Sequence, residues 1–91
     1  MTNTRIPLGK LVITPKAKDA IPRAEVLAAL LRHQTGDFGD DIYDDEWDAN
    51  MEALENGGEI LSAYDSKAGF RFWIYTEPDR SSTTIMIAGE K

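Results

Sequence analysis

Apolar positions along the chain follow a helical spacing in the first half and a strand-like alternation in the last third. Leu8 to Ile13 opens with a short apolar run that ends in the β-branched pair Val12 and Ile13, which predicts a strand. Thr14-Pro15 then forms a helix start, because Thr accepts from orphan backbone N–H groups and Pro at the first helical position loses no bond. A short helix is expected over Lys16 to Ala20, interrupted by Pro22. From Ala24 to Gln34, Val26, Leu27, Leu30 and Leu31 recur at helical spacing, with Gly36 as the stop. The segment GDFGDDI at 36–42 reads as a loop. Tyr43, Trp47, Met51 and Leu54 then form one stripe of a helix over 44–56, turned inward and ended by Gly57-Gly58.

Three strands close the chain: Glu59 to Tyr64, Phe70 to Glu77 and Ser82 to Ala88, joined by turns at 65–69 and 78–80. Turns this short make them antiparallel neighbours. The expected fold is α+β: a single small domain with one N-terminal strand, two to three helices and a three-strand antiparallel meander. It takes in the whole of 1–91, with 1–7 as a flexible lead. In the middle C-terminal strand, Phe70, Phe72, Ile74 and Thr76 point to the face packed on the helices. Arg71, Trp73, Tyr75 and Glu77 point to the other, partly open face. Trp73 and Tyr75 on that face suit an apolar contact with a partner or a homodimer seam.

Composition narrows the class. With 42% hydrophobic residues in 91, the chain has enough apolar material for one modest core. It has no Cys and one His, which excludes a disulfide framework and any Cys-based zinc site. No apolar run is long enough to span a membrane, and the first residues lack the apolar region of a secretory signal, so a cytoplasmic location is expected.

Charge changes the picture most. The net charge is −6, yet residues 33–66 hold no Lys or Arg and eleven acids, whereas residues 1–32 are basic on balance. A surface this acidic repels nucleic acid and favours a basic partner. With the stripe turned inward, Asp45, Asp48, Glu52 and Glu55 form a row about 15 Å long on the outer face of the helix. It carries a charge every ~5 Å, against one per ~3.4 Å along a DNA strand. Asp40, Asp41, Asp44 and Glu46, in the loop and first turn, raise the density toward that of a DNA mimic. An ordinary solvated helix face explains the acids of the first turn, which suit the helix dipole. It does not explain the absence of every compensating cation.

Other chemistry is thinly represented. A calcium loop beginning at Asp37 fails at both diagnostic places, with Ile42 where Gly is needed and Asp48 where a bidentate Glu is needed. No metal or cofactor site is expected. His33 stands four residues before Asp37, close enough for a His–Asp hydrogen bond and a general-base role. A histidine at a helix C-terminus more often serves as a cap. A small hydrolase or toxin-like enzyme using His33 with Asp37, Glu77 or Arg80 is therefore the alternative reading, disfavoured by the net charge for any polyanionic substrate. The segment Thr76–Thr84 reads as a self-bonded turn in which Arg80 pairs with Glu77 or with aspartates of the loop.

Taken as a string, the chain reads LG-x-x-V-x-TP, RH-x-x-GDFG, AL-x-x-GG-x-x-LSAY, and FWI-x-TE-x-DRS-x-TTI. From Leu8 to Ile87 it resembles a family of small bacterial proteins carried by plasmids, prophages and related elements, described as plasmid-related proteins. The ending Ala88-Gly89-Glu90-Lys91 departs from the acidic, aromatic tail usual in that family. The resemblance supplies no catalytic residues. It implies a genetic setting in which small acidic proteins inhibit host defence, including CRISPR and restriction complexes that hold nucleic acid in Lys- and Arg-lined channels. The expectation is thus an acidic, non-enzymatic anti-defence protein, anti-CRISPR-like. Asp40, Asp41, Asp44, Asp45, Asp48, Glu52 and Glu55 would face a basic groove, with Trp73 and Tyr75 as an apolar anchor. A homo-oligomeric accessory protein, joined through Trp73 and Tyr75, is the further alternative.

Overall fold

The architecture, taken from a computed structural model, is described for residues 6–39 and 44–90; within 44–56, side chains are described for 47–53 and 56. The order is β1 (Lys10–Ile13), α1 (Pro15–Ala20), α2 (Arg23–Gln34), α3 (Asp44–Asn56), β2 (Ile60–Asp65), β3 (Arg71–Thr76) and β4 (Ser82–Ile87). The fold is α+β, a small single domain. The strands form one sheet in the order β1-β4-β3-β2. β2, β3 and β4 make the expected antiparallel meander, and β1 joins the far side of β4 in parallel, so the sheet is mixed.

Local signals act where the residues place them. Thr14 caps α1 by accepting from the Ala17 N–H at 3.2 Å, and Pro15 takes the first helical position. α2 starts at Arg23 behind Pro22 and buries Val26, Ala29, Leu30 and His33. On the sheet, Tyr64, Phe72, Ile74 and Ile85 pack with Ala17, Ile21, Val26, Ala29 and Leu30 as the main core. A second cluster holds Ile6, Phe38, Ala53 and Ile60, with Met51 against it.

The GDFG loop belongs to that second cluster. Phe38 is buried, and its carbonyl accepts from the Ala63 N–H on the outer edge of β2 at 3.0 Å. Gly39 has φ +107, and a Cβ there would lie 1.8 Å from the Ala63 carbonyl oxygen, so only glycine lets the loop dock this closely. Ile6 lies outside any flexible lead. It is 2% exposed, and it exchanges hydrogen bonds with the backbone and side chain of Gln34.

Two expectations about facing residues need correction. Trp47 does not turn inward; it is 44% exposed. The inward side of α3 is built instead on Asn50, Ala53 and Met51, and the Tyr43 and Leu54 side chains lie outside the described residues. Phe70 precedes β3 and is exposed, because it sits in the turn before the strand begins. Phe72, Ile74 and Thr76 do face the helices, while Trp73 and Tyr75 are half-buried on the open face beside Leu61, Ala63 and Thr84.

Candidate functional site

His33 is the first candidate, and its surroundings define what it can do. It is fully buried. Its Nδ1 lies 2.5 Å from Ser62 Oγ and its Nε2 2.7 Å from Thr76 Oγ1. Thr76 Oγ1 is in turn 2.9 Å from Thr83 Oγ1, and the Thr83 hydroxyl donates to the Leu8 carbonyl at 2.8 Å. That last acceptor sets the direction of the whole chain. Thr83 spends its only proton on Leu8, so it accepts from Thr76; Thr76 then accepts from His33 Nε2–H, and Ser62 donates to Nδ1. Burial, and secondarily the charge of Arg80, lowers the His33 pKa to about 4.

The expected His33–Asp37 pair does not form. Asp37 faces Arg32 instead, with Nε–Oδ2 at 2.7 Å and Nη2–Oδ1 at 3.0 Å. That fork holds the Asp37 carboxyl below its ordinary range. Arg32 also lies over the Tyr64 ring, 4.9 Å from its centroid, and the Tyr64 hydroxyl donates to the Asp37 carbonyl. Burial pushes the Tyr64 hydroxyl up to about 12.

Arg80 does not pair with the carboxylate of Glu77 as expected. It sits at φ +63 and donates to the carbonyls of Gly58 at 2.6 Å and Ala53 at 2.9 Å, and more weakly to those of Glu77 and Pro78. Its guanidinium thereby ties the end of α3 to the β3–β4 turn. The residues of the enzyme alternative are thus dispersed: His33 is sealed in the core, Asp37 is paired with Arg32, and Arg80 is fastened to backbone oxygens. Among the described residues, no group of three or more His, Asp or Glu is placed to hold a metal ion. No helix there is long and apolar enough to cross a membrane.

The acidic helix is the second candidate. Asp48 and Glu52 are exposed, one turn apart on the side of α3 away from the sheet. Trp47 is exposed beside Asp48. Asp40 and Asp41 lie outside the described residues, as do the side chains of Asp44, Asp45 and Glu55. The helix is held by Asn50, whose side-chain amide donates to the Leu61 carbonyl at 2.9 Å and accepts from the Leu61 N–H at 3.1 Å. That reciprocal pair occupies the outer edge of β2 as a strand would. An inward Asn was not legible from hydropathy; its signal is a polar residue on the buried side of a helix beside an edge strand.

The open sheet face is the third. Trp73 lies opposite Ala63 and Met86 in the register, and Tyr75 opposite Leu61 and Thr84. The Tyr75 hydroxyl donates to Glu59 at 2.7 Å, and that carboxylate raises the phenol to about 12. Trp73 and Tyr75 therefore share one face, while Asp48 and Glu52 stand on a helix at the β2 edge. Comparison with family models, with curated proteins and with solved structures finds no match in any of the three, so the resemblance to plasmid and prophage proteins stands on its motifs alone.

Proposed function

We propose that this protein is a non-enzymatic binding protein that inhibits or regulates a nucleic-acid-processing complex by occupying its basic surface. The observation that carries the reading is the presentation of Asp48 and Glu52 on a helix fastened at two points, within 34 residues that contain no Lys or Arg. A solvated helix needs no such exclusion of cations. Exposed Trp47 beside Asp48 supplies the kind of aromatic anchor that dominates binding energy at interfaces. Trp73 and Tyr75 extend the apolar contact on the adjoining sheet face. The CRISPR or restriction class of target follows from the resemblance to mobile-element proteins, and a Lys- and Arg-lined channel is the surface such a row would fit.

The test is capture from lysate of the native bacterial host with the tagged protein, with and without excess duplex DNA and RNA. The expected result is capture of a nucleic-acid-binding complex that added nucleic acid displaces. Capture that nucleic acid leaves unchanged would contradict occupation of the nucleic-acid channel.

A further inference from the structure

The elbow between α1 and α2 leaves a cavity against the main core. α1 ends at Ala20 because Pro22 cannot continue it, and Ile21 and Pro22 are both extended, with ψ 122° and 141°. The two helices part at this point. Beside the elbow lies a cavity of about 410 Å³, lined by Ile13, Lys18, Ile21, Arg23 and Val26. Ile21 and Val26 belong to the main core, and Ile13 packs against it. The apolar part of the wall is thus the core itself, and the volume falls in the range of small-molecule sites.

The charges around this cavity are of one sign. Lys18 and Arg23 are exposed, and neither has a hydrogen bond or ion pair with a described residue. No acid among the described residues lines the space. Glu25, in the first turn of α2, is committed elsewhere and accepts from the Lys67 N–H at 3.0 Å. Two other cavities differ: one carries Glu59, and the second holds Glu25 and Asp65 beside Arg32 and Lys67. Lysine and arginine stems often cover apolar surface by themselves. Here they leave the cavity unfilled.

We infer that this cavity binds a small amphipathic anion, an apolar body of roughly eight to ten carbons with a carboxylate or phosphate head. The body removes the surface of Ile13, Ile21 and Val26 from water. Arg23 offers a planar fork to two oxygens of the head, and the Lys18 ammonium adds a point charge. An anion without the body would form only an exposed ion pair, which is worth little. A neutral body would leave both cations unused. The net charge of −6 repels a polyanion from the molecule as a whole, whereas a ligand of one or two charges is governed by the two cations nearest it. The site is separate from the acidic helix and does not depend on a partner for it.

Calorimetric titration of the full chain with octanoate, octyl phosphate and octanol, each below its micelle-forming concentration, tests the site. The expected result is saturable one-site binding of at least one anion, about tenfold or more tighter than octanol. The tighter anion identifies the head group. Methyl resonances of Ile13, Ile21 and Val26 should shift as the site fills. Lys18→Glu/Arg23→Glu changes exposed side chains only, and should weaken the anion about tenfold or more while leaving octanol unchanged. Lys18→Gln/Arg23→Gln serves if the charge reversal fails to fold. Absence of saturable binding by both anions, octanol binding as tightly, or equal anion affinity in the folded double variant overturns the proposal. Shifts confined to Trp73 and its neighbours on the open sheet face would overturn it as well.

Discussion

His33 is neutral at pH 7 because folding removes it from water and gives each ring nitrogen one partner in a one-way chain of hydroxyls. Its pKa falls from 6.5 to about 4, so the unfolded chain binds the extra proton between those values. Stability from this group is therefore complete above pH 6.5 and lost as pH falls toward 4, amounting to about 3 kcal/mol. Urea unfolding across that window should show the loss in the wild type, and His33→Gln should flatten it while lowering stability at pH 7. Equal slopes in the two proteins would contradict the assignment. Gly39 gives a second residue-level prediction. Gly39→Ala meets the Ala63 carbonyl and should cost more than about 3 kcal/mol, whereas Gly36→Ala, with open space around it, should cost about 1 kcal/mol. Matching denaturation midpoints for the two would refute the docking role of the loop. Little of this was readable in the sequence. Asp37 is four residues from His33, but the true partners, Ser62 and Thr76, are 29 and 43 residues away, and only the strand register brings them together.

At the scale of elements, alternation was the legible signal. The period-two pattern read for β3 matched its buried and half-buried positions, because one face packs on helices and the other is more open, and β2 alternates likewise; β4 breaks the pattern at Met86, which is buried opposite Trp73. α3 was harder. Its apolar stripe suggested an inward Trp47, yet the helix packs beside an edge strand whose backbone groups need partners, and Asn50 meets that need better than an indole can. Asn50→Ala should leave the Leu61 N–H and carbonyl unpaired, costing about 2 kcal/mol. It should also free the β2 edge, seen as light scattering that grows with concentration and that the wild type lacks. A variant as stable and as soluble as the wild type would mean that α3 is held mainly by Arg80 and the Ala53 contact.

At the scale of the molecule, charge and fold are separate layers. The sheet, α1 and α2 account for the main core, and the second cluster anchors α3 through Ala53. None of the acidic side chains described on α3 is needed for that packing: Asp48 and Glu52 are exposed. Charge segregation was plain in the sequence, and so was the outward face of Asp48 and Glu52; the Asn50 and Arg80 contacts that fasten the helix were not. Because the acids lie outside the core, reversing them tests function without dismantling the fold. The decisive measurement is capture from host lysate by wild-type and Asp48→Lys/Glu52→Lys protein at low and moderate salt, after confirming that both melt alike. The account predicts capture that falls as salt rises and that drops about tenfold or more in the double variant. Equal capture by the two proteins at both salt concentrations would contradict a binding role for the acidic helix.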